Sequence, residues 1–187
     1  MTAVNGTGFC AQSVVAKNKP AAVAFLAQSS IYIAFYVPCL VAICSKELRE
    51  LNTYKIMAVL GVLEIIDTAL SALTMSSLSF NGVTIDAVTG FPCDQQLFGV
   101  INAAGVSLNC LWMAMTLFYS LLGFNRAVEL SSEYYAAKLF GGGKIKVWIA
   151  APLVFAFSAR LFFAFCDCFI TYYHAGLCFY ILAGEVL

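Results

Sequence analysis

Charged side chains are scarce in this sequence. The 187 residues contain ten Lys or Arg and ten Asp or Glu, which together make up 11 % of the chain. A soluble domain carries about 25 % charged residues, so this chain has too few to cover itself with a polar surface. The formal net charge is zero. The basic residues do not cluster with aromatic ones, which excludes nucleic acid as a partner.

Residues that could form a catalytic or metal site are also few. His174 is the one histidine of the sequence, and no His/Cys spacing is typical of a metal centre. No nucleophile–base pair is visible, and the predicted inner loops are too short for a soluble catalytic domain. We therefore expect neither an enzyme nor a bound metal or cofactor.

Long hydrophobic runs dominate instead, with 62 % of residues apolar. A helix needs about 20 apolar residues to cross a bilayer. Four segments meet this length: residues 21–44, 54–76, 97–124 and 146–170. The sequence thus predicts an all-α integral membrane protein, a bundle of four transmembrane helices in membrane lipid. Residues 1–20 and 171–187 form the flanking segments.

Lysine and arginine in short loops predict the orientation, because cytoplasmic loops carry the excess. Two basic residues, Lys17 and Lys19, precede the first span. The loops after the first and third spans hold the others: Lys46, Arg49, Lys55, Arg126, Lys138, Lys144 and Lys146. We expect the N-terminus and the 171–187 segment outside. Asn5, in the triplet Asn5-Gly6-Thr7, is then a predicted glycosylation site.

Polar residues form stripes within the spans. They recur at helical steps on one face of the second and third spans, where an exposed central acid would cost about 2.5–3.5 kcal/mol. Simple packing between helices is the alternative explanation for the asparagines and threonines. We predict an intramembrane polar site of Glu64, Asp67, Asn102, Asn109, Thr116 and Arg160.

Arg160 is the basic residue deep within the fourth predicted span. Helical rise places it and Asp67 at a similar depth, about 20 Å from the inner ends of their spans. We expect an ion pair between Arg160 and Asp67, with Asp167 as the competing partner.

Three motifs occur in order along the chain: "YVPCLVAICSKELRELNTYKIMAVLGVLEIID", "LWMAMTLFYSLLGFNRAVEL" and "LFGGGKIKVWIAAPLVF". They resemble the nematode chemoreceptors of serpentine receptor class T, a family of seven-helix G-protein-coupled receptors. The resemblance covers residues 36–155. It implies the N-terminal part of a seven-helix fold, truncated after the fourth helix, which would be a fragment or a short form.

The resemblance also implies function. A complete relative would bind a small molecule and couple to a heterotrimeric G protein in the plasma membrane of sensory cells, and could form a receptor dimer. Asn125 and Arg126 would act as a G-protein switch at the inner end of the third helix, with Glu129 as a helical partner. Cys93 would form a disulfide with Cys178, or alternatively with Cys168.

Besides its length, which lacks helices five to seven and is the largest departure, the chain departs from the family pattern at two residues. Glu64 stands where the family would have aspartate. Cys93 lies farther along the chain from Arg126 than is usual for the family cysteine that tethers the third helix through a disulfide. A four-helix scaffold, channel subunit or small transporter is the alternative function. A channel or transporter would use Glu64, Asp67 and Arg160 as charges along its pathway.

Overall fold

The structure, a computed structural model, describes residues 13–45, 51–86, 93–141, 143–165, 169–173 and 178–182. Within these residues, four helices are long and apolar enough to cross a membrane, as predicted. They are α1 (Lys19–Ile43), α2 (Asn52–Asn81), α3 (Gln95–Ser131) and α5 (Ile145–Phe165). The described elements also include a short helix and four strands: α4 (Glu133–Phe140), β1 (Ser13–Ala16), β2 (Val83–Asp86), β3 (Phe169–Tyr173) and β4 (Cys178–Leu182).

Three helix ends differ from their predicted positions. α2 continues to Asn81, past the predicted residue 76. α3 continues through Ser131 instead of stopping at residue 124, so the predicted switch residues lie within the helix and not at its end. α5 ends at Phe165, short of the predicted residue 170. The chain then enters β3, whose sequence FITYY is rich in the β-branched and aromatic residues that favour strands. β3 pairs antiparallel with β4, an arrangement that the apolar run alone did not reveal.

The main contacts between the long helices are α1 against α2, α2 against α3, and α3 against α5, with a smaller contact between α2 and α5. The largest buried cluster joins α2, α3, α4 and the start of α5, and consists of Ile56, Leu60, Met115, Phe118, Leu121, Phe140 and Ile145. This cluster lies toward the end of the bundle that carries Lys55, Arg126, Lys138, Lys144 and Lys146, which we call the basic end. α1 lies at the side of the bundle, and Ala22 is its buried residue.

The opposite end, which we call the strand end, is held by backbone pairing. β1 pairs antiparallel with β2, and the Asn18 amide donates to the Ser79 carbonyl at 2.9 Å. Gly82, with φ of 80° and ψ of 155°, adopts a positive-φ conformation that glycine tolerates and that lets the chain leave α2 and enter β2 directly. Asp94 caps α3, because its Oδ1 accepts from the Gln96 amide at 2.9 Å.

The strand end also contains a disulfide-bonded cysteine, Cys93. The Cys93 amide donates to the Thr84 carbonyl at 2.8 Å, so β2 and the start of α3 are linked there. Cys39, Cys44 and Cys110 have free thiols and are not its partner. The predicted partner Cys178, the alternative Cys168 and the predicted glycosylation site Asn5 lie outside the described side chains. The pairing with Cys178 stays a prediction.

Candidate functional site

A buried hydrogen-bond network joins α2 to α3 at the basic end. The Thr53 hydroxyl donates to the Glu129 carboxylate, at 3.1 Å from Oε2. The Asn125 amide nitrogen lies 2.9 Å from both Thr53 Oγ1 and Glu129 Oε1. Thr53 and Asn125 are 2 % and 0 % exposed, so their polar atoms depend on one another for hydrogen bonds. Glu129 is therefore the acceptor that holds the two helices in register.

Arg126 adjoins this network from the surface. Its guanidinium donates to Glu129 Oε2 at 3.3 Å, and its side chain is 52 % exposed. The contact between Arg126 and Glu129 expected from their spacing along the helix is thus present. The Asn125 Oδ1 atom is buried and accepts no hydrogen bond from the described residues. The Glu129 carboxylate therefore accepts hydrogen bonds both from the buried Thr53 and Asn125 side chains and from the accessible Arg126 guanidinium.

α4 closes the same end and was not predicted. Phe140, at its last turn, is 1 % exposed and contacts the rings of Phe124 and Trp148, with centroids 5.9 and 5.7 Å away. The Trp148 indole donates to the Leu139 carbonyl at 3.1 Å. Glu133 in the first turn, Lys138 in the last and the following Gly141 are helix signals that could have predicted α4.

Comparison with known proteins identifies the family of this chain. The family model for the serpentine type 7TM GPCR chemoreceptor Srt matches residues 9–179. This chain belongs to the Srt family. No curated protein and no solved structure matches it. The family name specifies seven transmembrane segments, and the described part of this Srt chain contains four helices that are long and apolar enough to cross a membrane.

Within the membrane, tyrosines surround the predicted acid of α2. The hydroxyl of Tyr119 on α3 donates to Glu64 Oε1. That of Tyr32 on α1 donates to Oε2 at 3.4 Å. The Tyr36 ring stacks on Tyr32 with centroids 5.2 Å apart. Glu64 therefore links three helices of this Srt chain.

Gly61, one turn before Glu64, lets α1 approach α2. A Cβ atom there would lie 2.9 Å from Leu40 Cδ1 and 3.4 Å from Tyr36 Cε1. A side chain at this position would force the end of the Leu40 side chain to move, since 2.9 Å is inside van der Waals contact. The polar stripe of α2 thus contains a packing residue next to its acid. The tyrosines were not predicted as part of the polar site, because their rings contribute to the hydrophobic length of the spans.

The predicted ion pair between Asp67 and Arg160 does not form among the described side chains. Asp67 lines a groove between α1 and α2, whereas Arg160 lies near Cys110 on α3. α5 packs mainly on α3, whereas Asp67 lies on the face of α2 that is turned toward α1. Equal depth in the membrane does not bring side chains together when their helix faces point in different directions.

The remaining predicted polar residues lie along α3. Asn102 and Asn109 are half-buried, and Thr116 is exposed. The Thr116 hydroxyl donates to the Trp112 carbonyl at 2.9 Å, a bond within its own helix. Among the side chains that the structure describes, no group of three or more His, Cys, Asp or Glu could hold a metal ion.

Proposed function

We propose that this Srt chain acts in a receptor that binds a small molecule and couples to a heterotrimeric G protein through its basic end. Membership of the Srt family supports a chemoreceptor-type function, and this family is a receptor family rather than an enzyme family. The observation that carries the coupling proposal is the accessible Arg126 bound to the same carboxylate that joins α2 and α3. In this proposal the basic end faces the cytoplasm and the N-terminus lies outside.

The network suggests how binding and helix position are coupled. An exposed ion pair between residues three apart contributes about 0–1 kcal/mol, so a partner can take Arg126 away from Glu129 at low cost. Glu129 then keeps its hydrogen bond to Asn125, which lies on the same helix, but loses its bond to Thr53 if α2 and α3 separate. A bound ligand that shifts α2 relative to α3 would change how readily Arg126 is released.

The Arg126→Ala variant tests the coupling site. In lipid nanodiscs containing the chain, we expect about tenfold weaker retention of a purified heterotrimeric G protein, because an interface arginine of this kind contributes on the order of 1–2 kcal/mol. The matched control is Lys19→Ala, which removes an exposed cation at the strand end. Equal retention of the G protein by wild type and Arg126→Ala would mean that Arg126 only anchors its helix at the membrane interface.

A further inference from the structure

A groove lies between α1 and α2 in the part of the bundle nearer the strand end. Its volume is about 380 Å³. Apolar residues such as Phe25 and Met75 contribute to its wall. Its polar side chains come from both helices and are Gln28, Ser29, Tyr32, Asp67, Thr68 and Ser71. A groove of this size accommodates a small organic molecule.

Asp67 is the acid of this groove, and it is half-buried. It has no hydrogen-bond or ion-pair partner among the described residues, in contrast to Glu64, whose two oxygens accept from tyrosines. Asp67 lies about 20 Å along α2 from Tyr54, so it is at the depth of the hydrocarbon core. A carboxylate at that depth is costly unless a cation or a hydrogen-bond donor reaches it.

The other groups in the groove suit an ammonium ion. The Ser29 hydroxyl donates to the Phe25 carbonyl at 2.6 Å, which leaves its oxygen lone pairs as acceptors for N–H groups. Tyr32 offers an aromatic ring on the same wall, and such rings attract organic cations. A metal ion is disfavoured, since Asp67 belongs to no group of three ligating side chains among the described residues. The chemistry of the groove therefore matches a protonated amine.

We infer that this groove binds a small organic ammonium compound whose cationic nitrogen pairs with Asp67. The inference rests on the proposed small-molecule receptor function and specifies its ligand class. The apolar wall holds the carbon skeleton, and Gln28 and Ser29 orient the polar end. Arg160 cannot supply the missing positive charge, because it lies on the α3 side of α5.

Binding of phenethylammonium tests this inference. The chain is placed in nanodiscs of neutral phospholipid, with empty nanodiscs subtracted, and its affinity for phenethylammonium is compared with that for 2-phenylethanol. We expect the amine to bind at least about tenfold more tightly than the neutral alcohol. Asp67→Asn should abolish that preference and leave the affinity for the alcohol unchanged. Equal affinities in wild type, or a preference that survives Asp67→Asn, would overturn the inference.

A second variant keeps the carboxylate and blocks the space around it. Ser71→Leu fills the groove, and we expect it to weaken amine binding about tenfold. Ser77→Leu is its matched control, because it places the same side chain on α2 in the neighbouring groove beside α3. Amine binding that is equal in both variants would contradict the assignment. No G protein is present in this assay, so its failure leaves the Arg126 experiment unaffected.

Discussion

Replacing Phe140 by alanine is expected to lower the free energy of unfolding by about 3–5 kcal/mol, the cost of removing a fully buried aromatic side chain. Phe140 is 1 % exposed and belongs to the cluster that joins α2, α3, α4 and α5. Its ring also contacts Trp148, so the indole fluorescence of Trp148, measured in a Trp112→Phe background, reports on the same region as the protein unfolds. A denaturant titration in detergent micelles, followed by this fluorescence, measures the loss.

The matched control is Tyr135→Ala on the same short helix. The Tyr135 side chain is 59 % exposed, so its removal should change the free energy of unfolding by no more than about 0.5 kcal/mol. Similar losses for Phe140→Ala and Tyr135→Ala would mean that α4 does not pack against the bundle.

Replacing Glu129 by alanine is the second change with a large expected effect. It leaves the buried Thr53 hydroxyl and the buried Asn125 amide without their shared acceptor. Each buried polar group without a partner costs about 1–3 kcal/mol, so the free energy of unfolding should fall by at least that amount. Glu129→Gln retains an acceptor oxygen and should lose less. Glu133→Ala removes an exposed acid from α4 and should have little effect.

A double-mutant cycle separates this network from a general effect of charge. Thr53→Val removes one of the groups that need Glu129, so the loss for the double variant should be smaller than the sum of the two single losses. Independent, additive losses from Thr53→Val and Glu129→Ala would show that these side chains do not interact in the membrane-embedded protein.

The spanning helices could be predicted because hydrophobic length is a local property of the sequence. The pairing of Arg126 with Glu129 could be predicted for the same reason, since a separation of three residues brings side chains together on one helix. The contacts of Thr53 with Asn125 and Glu129 could not, because they join residues 72 and 76 positions apart on different helices. Their formation depends on the rotation of α2 relative to α3.

The prediction of an ion pair between Asp67 and Arg160 was wrong for the same reason. Helical rise gives the depth of each charge, but the sequence does not give the direction in which each helix face points within the bundle. Two tyrosines were also overlooked as partners for Glu64, because Tyr32 and Tyr119 contribute to hydrophobic length while their hydroxyls act as hydrogen-bond donors. A tyrosine in a membrane segment therefore has to be considered both as an apolar residue and as a hydrogen-bond donor.

The nucleotide dependence of G-protein binding tests the central proposal most directly. The wild-type chain in nanodiscs is incubated with a purified heterotrimeric G protein, first without nucleotide and then with a non-hydrolysable GTP analogue. We predict that the nucleotide-free heterotrimer is retained at the basic end and that the analogue releases it. Absence of retention, or retention that the analogue does not change, would contradict the proposal that this end of the chain couples to a G protein.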